Sequence, residues 1–456
     1  MKQRTTALLL AGALVLSLLG TAALAAEGGM SDQDSAAGQS EADQSRQAGD
    51  SSAPEEEPAA PAAESGGEES PADSQEDLPP AEEYIPDPMG AITFQNLERR
   101  MRENNLQILS IQENVSVLEE IDYDKLKEDL REQLNQLAQA QWMMVQFGQS
   151  GTLAYERMDQ AYDAVREQFE AIKDGDMQAD NAETIRQLSH LQNQIVMAGE
   201  ATYIALAAME LQESGLNRQL AALDRQLTEL ELRYKLGHIS SIQLKQAQAG
   251  REALVSGLST LRMNLNSYKG QLELLIGADL TGEISLGALP AVAREDLDGM
   301  DLEKDTQTAK ENSWDIYQAT ETMKDEREKY YNVGGDAGAG YATVSDTYKR
   351  TRHNWYAAKY TYDNTIQNFE LGLRNLYLKV KDCKQILDAA RTALAVERDN
   401  YAVAQLKYSQ GNLSQNALLE AEDKVTEARE KVASAENDLF SSYNTYRWAV
   451  DYGILN

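Results

Sequence analysis

The chain has little cysteine and histidine, and each shortage excludes a class of protein. Its single cysteine, Cys383, permits no intramolecular disulfide. The three histidines, His190, His238 and His353, lie far apart and lack the spacing of a metal site. The 456 residues carry a formal net charge of −33. This acidity argues against a nucleic-acid partner, because contact with phosphate needs clustered Lys and Arg.

Catalytic motifs are missing as well. The sequence shows no nucleophile–base pair, no metal set and no phosphate-binding glycine loop in a suitable context. The glycine-rich stretch 334–340 follows a predicted helix rather than a strand, so it is a poor nucleotide loop. We therefore predict that the protein is not an enzyme and holds no cofactor or metal.

Proline is confined to one region, which follows a targeting segment. Lys2 and Arg4 precede an apolar run over 7–19, and Ala23-Leu24-Ala25 offers the small-x-small pattern of secretory cleavage. A membrane anchor is the alternative, but the run is short for a span. We predict a signal peptide over 1–26 and export beyond the cytoplasmic membrane, to the cell envelope.

The region 27–90 holds eight of the nine prolines, and its 18 acidic residues face one base, Arg46. With almost no large apolar residue it is predicted to be a disordered acidic linker. Two interpretations of this linker remain open, a spacer for the helical body and a solubilising tail.

Beyond residue 90 the sequence has helical patterns nearly throughout. The only remaining proline, Pro290, marks a predicted boundary between helical repeat 1 (91–289) and helical repeat 2 (290–456). Apolar residues alternate spacings of four and three in four long stretches, which predicts antiparallel coiled-coil hairpins. Leucines from Leu216 to Leu230 and from Leu254 to Leu275 carry this heptad pattern in repeat 1. Leu373–Leu394 and Leu418–Leu439 carry it in repeat 2.

Two segments, 174 residues apart, share one turn pattern. Leu232–Gln248 reads LRYKLGHISSIQLKQAQ, and Leu406–Glu422 reads LKYSQGNLSQNALLEAE. In both, a glycine suited to the left-handed end of a helix precedes a serine suited to the N-cap of the next. Gln243 completes a capping box with Ser240, whereas Ala417 follows Ser414 at that position. The pattern predicts hairpin tips near 237–240 and 411–414.

The two repeats also begin alike. Thr93 and Asp301 are suitable N-caps, and a Glu-Asn pair recurs at 103–104 and 311–312. The offset between these starts is 208 residues, against 174 at the tips, so repeat 1 carries about 34 extra residues. Their pattern is helical, around a turn near 147–151.

The duplicated tips and helix starts resemble the TolC family of outer-membrane efflux proteins over residues 92–456. The tip patterns are R-Y-x-x-G-x-I-S and K-Y-x-x-G-x-L-S. The resemblance implies a homotrimer in which two repeats per chain build a hollow α-barrel. Its tips would dock a periplasmic-type adaptor, the membrane fusion protein, coupled to an inner-membrane pump such as an ABC transporter. The tip residues that carry over are Tyr234, Gly237, Ile239, Ser240, Tyr408, Gly411, Leu413 and Ser414.

One departure from the family concerns its β-strands, which lie between the opening helices of each repeat. Strands of about ten residues would be needed, but the corresponding stretches 147–151 and 332–341 are only short turns or loops. We therefore expect an all-α, TolC-like α-barrel protomer with little or no β-barrel. The family places it at the outer membrane. The missing strands favour a cell without a conventional outer membrane, or a conduit that stops short of one.

We predict a non-catalytic, TolC-like extracytoplasmic conduit subunit of an efflux or export assembly. The alternative is a secreted structural or adhesive coiled-coil protein of the cell surface, which would need neither trimer nor adaptor. The tips themselves have two interpretations, ordinary turns and adaptor contacts. We expect Cys383 to be a core residue. The aromatic residues Tyr348, Trp355, Tyr356, Tyr360 and Tyr362 are expected to pack between helices rather than bind a ligand.

Overall fold

The computed structural model describes residues 87–334 and 345–455. The predicted signal peptide, nearly all of the predicted linker and most of the glycine-rich loop lie outside the described residues. Eleven helices and two two-residue strands make up the described structure, which confirms the all-α prediction. None of the described helices is both long enough and apolar enough to cross a membrane.

The elements of repeat 1 are β1 (Ala91–Ile92), α1 (Phe94–Asn104), α2 (Leu106–Glu119), α3 (Tyr123–Gln146), α4 (Leu153–Asp174), α5 (Asp176–Lys235) and α6 (Ser241–Leu275). The connection to repeat 2 contains β2 (Ser285–Leu286) and α7 (Arg294–Asp298). Repeat 2 consists of α8 (Leu302–Asn312), α9 (Trp314–Asn332), α10 (Asp346–Ser409) and α11 (Gln415–Tyr452).

Two long antiparallel hairpins, α5–α6 and α10–α11, form the body. Each of their long helices packs on its neighbour in the order α6, α5, α11, α10. With 60 residues, α5 is about 90 Å long at 1.5 Å per residue. The predicted heptad residues lie on the buried seams, as Leu258, Leu265, Leu373 and Val380 illustrate. The periodicity of the sequence therefore predicted the packing faces correctly.

The strands were not predicted, and they connect the start of repeat 1 to the connection between the repeats. Ala91 pairs with Ser285, and Ile92 with Leu286, in parallel. The single hydroxyl proton of Tyr203 in α5 is shared between the Gly287 carbonyl at 2.7 Å and the Ile92 carbonyl at 3.1 Å. The repeat boundary at Pro290 stays a prediction.

The extra residues of repeat 1 are helical, as predicted. They lie within the region where α3 and α4 form a hairpin, whose turn contains residues 147–151. Gly175, with φ of 87°, separates α4 from α5. Because of this break, α5 begins at Asp176.

The two predicted N-caps differ. The Asp301 carboxylate accepts from the backbone N–H groups of Glu303 and Lys304, at 3.0 and 3.2 Å, which confirms its role. The prediction for Thr93 was wrong for its side chain. Thr93 stands at the N-cap of α1, but its hydroxyl donates to Asp87 Oδ1 at 2.8 Å, so it caps nothing. A carboxylate preceding the helix competes successfully for that hydroxyl.

In each repeat, the break between the first two helices contacts the C-terminal end of the last helix, and the sequence analysis missed this contact. In repeat 1, Asn105 caps α2 by accepting from Gln107 and Ile108, and its amide donates to the Leu275 carbonyl at 2.9 Å. In repeat 2, Ser313 caps α9, and the Asn312 amide donates to the Val450 and Asp451 carbonyls. Asparagine side chains thereby donate to backbone carbonyls at the C-terminus of the last helix of each repeat, where no intrahelical N–H group is left to do so.

A glycine in the left-handed region follows that last helix in both repeats. Gly277 and Gly453 have φ of 63° and 64°. A Cβ atom would lie 2.7 Å from the Asn104 carbonyl oxygen at Gly277, and 2.4 Å from backbone atoms of Ser313 at Gly453. Both positions therefore require glycine for conformation and for space.

The connection after α6 is held by one buried carboxylate. Glu273 accepts from the Thr281 hydroxyl at 2.9 Å and from the backbone N–H groups of Gly282, Glu283 and Ile284 at 2.7 to 3.2 Å. Burial alone would raise the pKa of Glu273, but the hydrogen bonds outweigh it and hold the pKa below its ordinary value of 4.5.

The aromatic residues of α10 mostly pack between helices, as expected. Trp355 stacks on Tyr330 of α9 with ring centroids 5.2 Å apart, and Tyr348 lies 5.7 Å from the same ring. Tyr360 departs from the expectation because it is largely exposed. Cys383 is buried in the core of repeat 2, as expected, with its Sγ 3.3 Å from Ser442 Oγ.

Replacing Gly453 by alanine should lower the free energy of unfolding by about 3 kcal/mol or more, since strain and a backbone clash add. Gly175→Ala is the matched control, because its φ is also positive but nothing lies within 4 Å of the added Cβ. It should cost only about 1–2 kcal/mol. Urea unfolding of both variants measures the difference, and equal losses would contradict the close approach at Ser313.

The depressed pKa of Glu273 predicts a pH-dependent contribution to stability. The stabilisation by Glu273 is complete at pH values above its unfolded pKa near 4.5, and it is lost as pH falls through its lower folded pKa. Glu273→Gln removes this titration. The difference in free energy of unfolding between the variant and the wild type should therefore shrink as pH falls from about 6 to about 3. Urea unfolding across this range tests it, and parallel pH curves for the two proteins would refute it.

Candidate functional site: two hairpin tips at one end

Tip 1 (residues 234–240) joins α5 to α6, and tip 2 (residues 408–414) joins α10 to α11. At tip 1, Gly237 adopts φ of 75°, and its N–H donates to the Tyr234 carbonyl at 2.9 Å. The His238 N–H donates to the Arg233 carbonyl at 2.8 Å, which completes a Schellman motif.

Tip 2 repeats this turn atom for atom. Gly411 adopts φ of 77° and donates to the Tyr408 carbonyl at 2.9 Å, while the Asn412 N–H donates to the Lys407 carbonyl at 2.8 Å. The glycine role predicted from the sequence is therefore present in both copies.

The serines cap the returning helices as predicted. Ser240 Oγ accepts from the Gln243 N–H at 3.3 Å, and Gln243 Oε1 accepts from the Ser240 N–H at 3.0 Å. Ser414 Oγ accepts from the Ala417 N–H at 3.2 Å without a reciprocal partner. Tip 1 thus has a full capping box, and tip 2 has a single cap.

The side chains at the two tips have different exposure. Tyr234 and Tyr408 are exposed, whereas Ile239 and Leu413 are half-buried beneath the turns. Both tyrosines lie at equivalent positions, so the structure presents two matched aromatic rings to solvent.

Two further exposed residues, Leu236 in tip 1 and Ile242 just after it in α6, make this end of the first hairpin more apolar than that of the second, and the sequence analysis missed them. The equivalent positions in the second hairpin are Gln410 and Asn416. A position-by-position comparison of the tips would have revealed this, because neither leucine nor isoleucine there belongs to the heptad seam.

Polar contacts between α5 and α11 bring the two tips to the same end. Arg218 donates to both carboxylate oxygens of Glu430 at 2.9 to 3.1 Å, and these side chains are only 16% and 18% exposed. Arg225 pairs with Asp423. Nearer the tips, the Asn416 amide donates to Glu229 at 3.5 Å.

The other end of this interface contains a buried carboxylate. Glu200 Oε2 accepts from Trp448 Nε1 at 2.6 Å and from the Asn444 amide at 2.7 Å. Burial raises the pKa of Glu200, although both hydrogen bonds act in the opposite direction.

From Glu200 to Glu229 the partner numbers fall from 448 to 416, so α5 and α11 are antiparallel. Because α5 ends at tip 1 and α11 begins at tip 2, the tips share one end. Sequence periodicity did not reveal this pairing.

No group of three or more His, Cys, Asp or Glu side chains in 87–334 and 345–455 is placed to hold a metal ion. The described tips contain tyrosine rings, Ile239, Leu413 and the cation Lys235, and Arg233 and Lys407 directly precede them.

Reversing one charge of the Arg218–Glu430 pair should destabilise the protein, because a partly buried carboxylate would then face another. We expect Arg218→Glu to lower the free energy of unfolding by about 2 kcal/mol or more, and Arg218→Glu/Glu430→Arg to restore most of it.

The exposed pair Arg391–Glu436, which joins α10 to α11 at 2.9 Å, is the control. Reversing Arg391 should cost no more than about 1 kcal/mol. Urea unfolding of the four proteins provides the comparison, and an equal loss at both pairs would remove the special role assigned to the α5–α11 contact.

Neither a protein-family model nor a curated protein sequence matches the chain. It is similar to several solved structures. The Campylobacter jejuni CmeC outer membrane channel has a TM-score of 0.47 and 15% identity, covering 64% of this chain and 68% of that one. The Vibrio cholerae outer membrane protein VceC has a TM-score of 0.45 and 11% identity, covering 79% and 96%. The Neisseria gonorrhoeae MtrE outer membrane channel has a TM-score of 0.39 and 14% identity, covering 79% and 89%.

Proposed function

We propose that the protein is an exported, non-catalytic conduit subunit of an efflux or export assembly, located in the cell envelope. Three chains would form a TolC-like α-barrel, and the tips would dock an adaptor of the membrane-fusion type. An inner-membrane pump such as an ABC transporter would supply the energy. This function rests on the duplicated tip pattern and on the α5–α11 contact, which supports a shared docking end.

The tip geometry favours docking over a purely local turn. A turn needs its glycine and serine, but it has no need of an exposed tyrosine at the same position in both copies. Tyrosine provides a large apolar ring with a hydroxyl at its edge, and it is enriched where proteins bind one another. The residues assigned to docking are Tyr234, Gly237, Ile239, Ser240, Tyr408, Gly411, Leu413 and Ser414.

The second candidate is a secreted structural or adhesive coiled-coil protein of the cell surface. It is consistent with the long hairpins and with the acidic linker predicted over 27–90, which would serve as a stalk. The two functions differ in assembly, because a conduit must close into a ring and a stalk need not. Light scattering after size exclusion distinguishes them. A trimer supports the conduit, and a stable monomer or dimer supports the stalk.

A tip substitution tests docking separately from assembly. Tyr234→Ala/Tyr408→Ala should weaken binding to a purified membrane-fusion-type adaptor from the same organism at least about tenfold, since two aromatic contacts are lost. Surface plasmon resonance measures the affinity, and circular dichroism should show unchanged helix content because both rings are exposed.

Tyr360→Ala is the matched control, since Tyr360 is an exposed tyrosine of α10 near the end opposite tip 2. It should leave adaptor affinity unchanged. A trimer whose adaptor affinity is insensitive to the tip substitutions would place docking elsewhere on the chain.

A further inference from the structure

The turn between α3 and α4 has the same glycine-terminated backbone as the two tips, and it differs from both in charge. No charged residue occurs from Gln133 to Tyr155, although 26% of the chain is charged. On the opposite arm, charge begins at Glu156, and Asp159 accepts from the Gln141 amide at 3.2 Å. Residues 142–155 are therefore free of charge on both arms, and we name them the charge-free cap.

Large apolar side chains of the charge-free cap are exposed. Trp142 is 61% exposed, and Phe147, in the turn, is 79% exposed. Met143, Val145 and Leu153 are also at least half exposed. At about 100° per residue, positions 142, 143 and 145 point to different sides of α3 rather than along one stripe. The apolar surface therefore surrounds the end of the hairpin.

The backbone of the turn is already hydrogen-bonded within itself. Gly148, with φ of 70°, donates to the Val145 carbonyl at 3.1 Å, and Gln149 donates to the Met144 carbonyl at 2.9 Å. Thr152 Oγ1 accepts from the Tyr155 N–H and donates to the Gln149 carbonyl. These bonds reduce the cost of moving the turn out of water, because fewer polar groups lose a partner.

We propose that the charge-free cap inserts into the surface of a lipid bilayer and attaches the protein to it. The cap extends about one helical turn along each arm beyond the six-residue turn. This depth agrees with the roughly 5–10 Å by which interfacial segments enter a membrane. Trp142 and Tyr155 are of the types that favour the boundary between lipid headgroups and acyl chains.

A lipid surface fits these observations better than a protein partner. The exposed apolar side chains of the charge-free cap present several hundred Å² in total, since an aromatic side chain has an area on the order of 150–250 Å². A stable protein interface needs roughly 800 Å² per partner. A single protein neighbour would also cover one side of the hairpin, whereas the apolar residues surround it.

The charge on the protein indicates which lipids suffice. A chain with net charge −33 gains nothing from anionic headgroups, and the cap contains no Lys or Arg to attract them. Attachment should therefore be apolar, should occur on neutral lipid and should not depend on salt. This attachment goes beyond the proposed conduit function and does not require it.

Vesicle flotation tests the proposal. The purified protein, without its predicted signal peptide, is mixed with neutral phosphatidylcholine vesicles at low and at high salt. We expect it to float equally at both. Lipids brominated in the upper acyl chain should quench the fluorescence of Trp142, since Trp314 and Trp448 are buried and the half-buried Trp355 is stacked on Tyr330 of α9.

Phe147→Gln/Leu153→Gln keeps Trp142 and should lower the partition coefficient at least about tenfold while abolishing the quenching. Met263→Gln/Leu280→Gln, at two exposed apolar positions of α6 and the loop after it, is the matched control and should float like the wild type.

Two results would overturn the proposal. The first is a wild-type protein that does not float with neutral vesicles. The second is a cap variant that floats like the wild type. If light scattering then shows an altered mass for that variant, the cap is a contact between copies of the chain. Circular dichroism and urea unfolding confirm that each variant is folded before flotation is compared.

Discussion

The contact between α5 and α11 is the constraint that places both hairpin tips at the same end of the long helices. Each hairpin has its own leucine seam, but neither seam determines how the hairpins lie relative to each other. The Arg218–Glu430 pair and the hydrogen bonds of Glu200 join them along most of the interface. Because charged and amide groups need specific partners, they select one register, whereas a uniform apolar face would tolerate several. The shared end of the two tips follows from that register.

The turns that join α3 to α4, α5 to α6 and α10 to α11 share one backbone conformation and differ in their side chains. Glycines 148, 237 and 411 each end a helix in the left-handed region and form the same pair of hydrogen bonds. The two tips present tyrosine beside basic residues, while the turn at Gly148 presents apolar and uncharged polar residues and no charged ones. The same backbone turn therefore carries side chains of different chemistry at different places in the chain.

The duplication is visible in contacts as well as in sequence. In each repeat, the last helix ends at a glycine that packs on the break between the first two helices, and an asparagine amide binds the open carbonyls. The atoms involved differ, since Asn105 performs both capping and binding in repeat 1, whereas Ser313 and Asn312 divide these roles in repeat 2. Equivalent geometry from different residues indicates that the closed junction itself, rather than a particular side chain, is required for the fold.

The sequence alone determined the helical class, the seams and the backbone of the tips. Heptad spacing, Gly237, Gly411 and the capping serines act within a few residues of one another, so local rules suffice to interpret them. Only the tertiary structure decided the contacts between distant residues. Asp87 takes the hydroxyl of Thr93, Glu273 binds a loop through buried hydrogen bonds, and Glu200 meets Trp448 across 248 positions. These partners are determined by how the helices pack in three dimensions, because the periodicity of a sequence does not specify which helix packs on which.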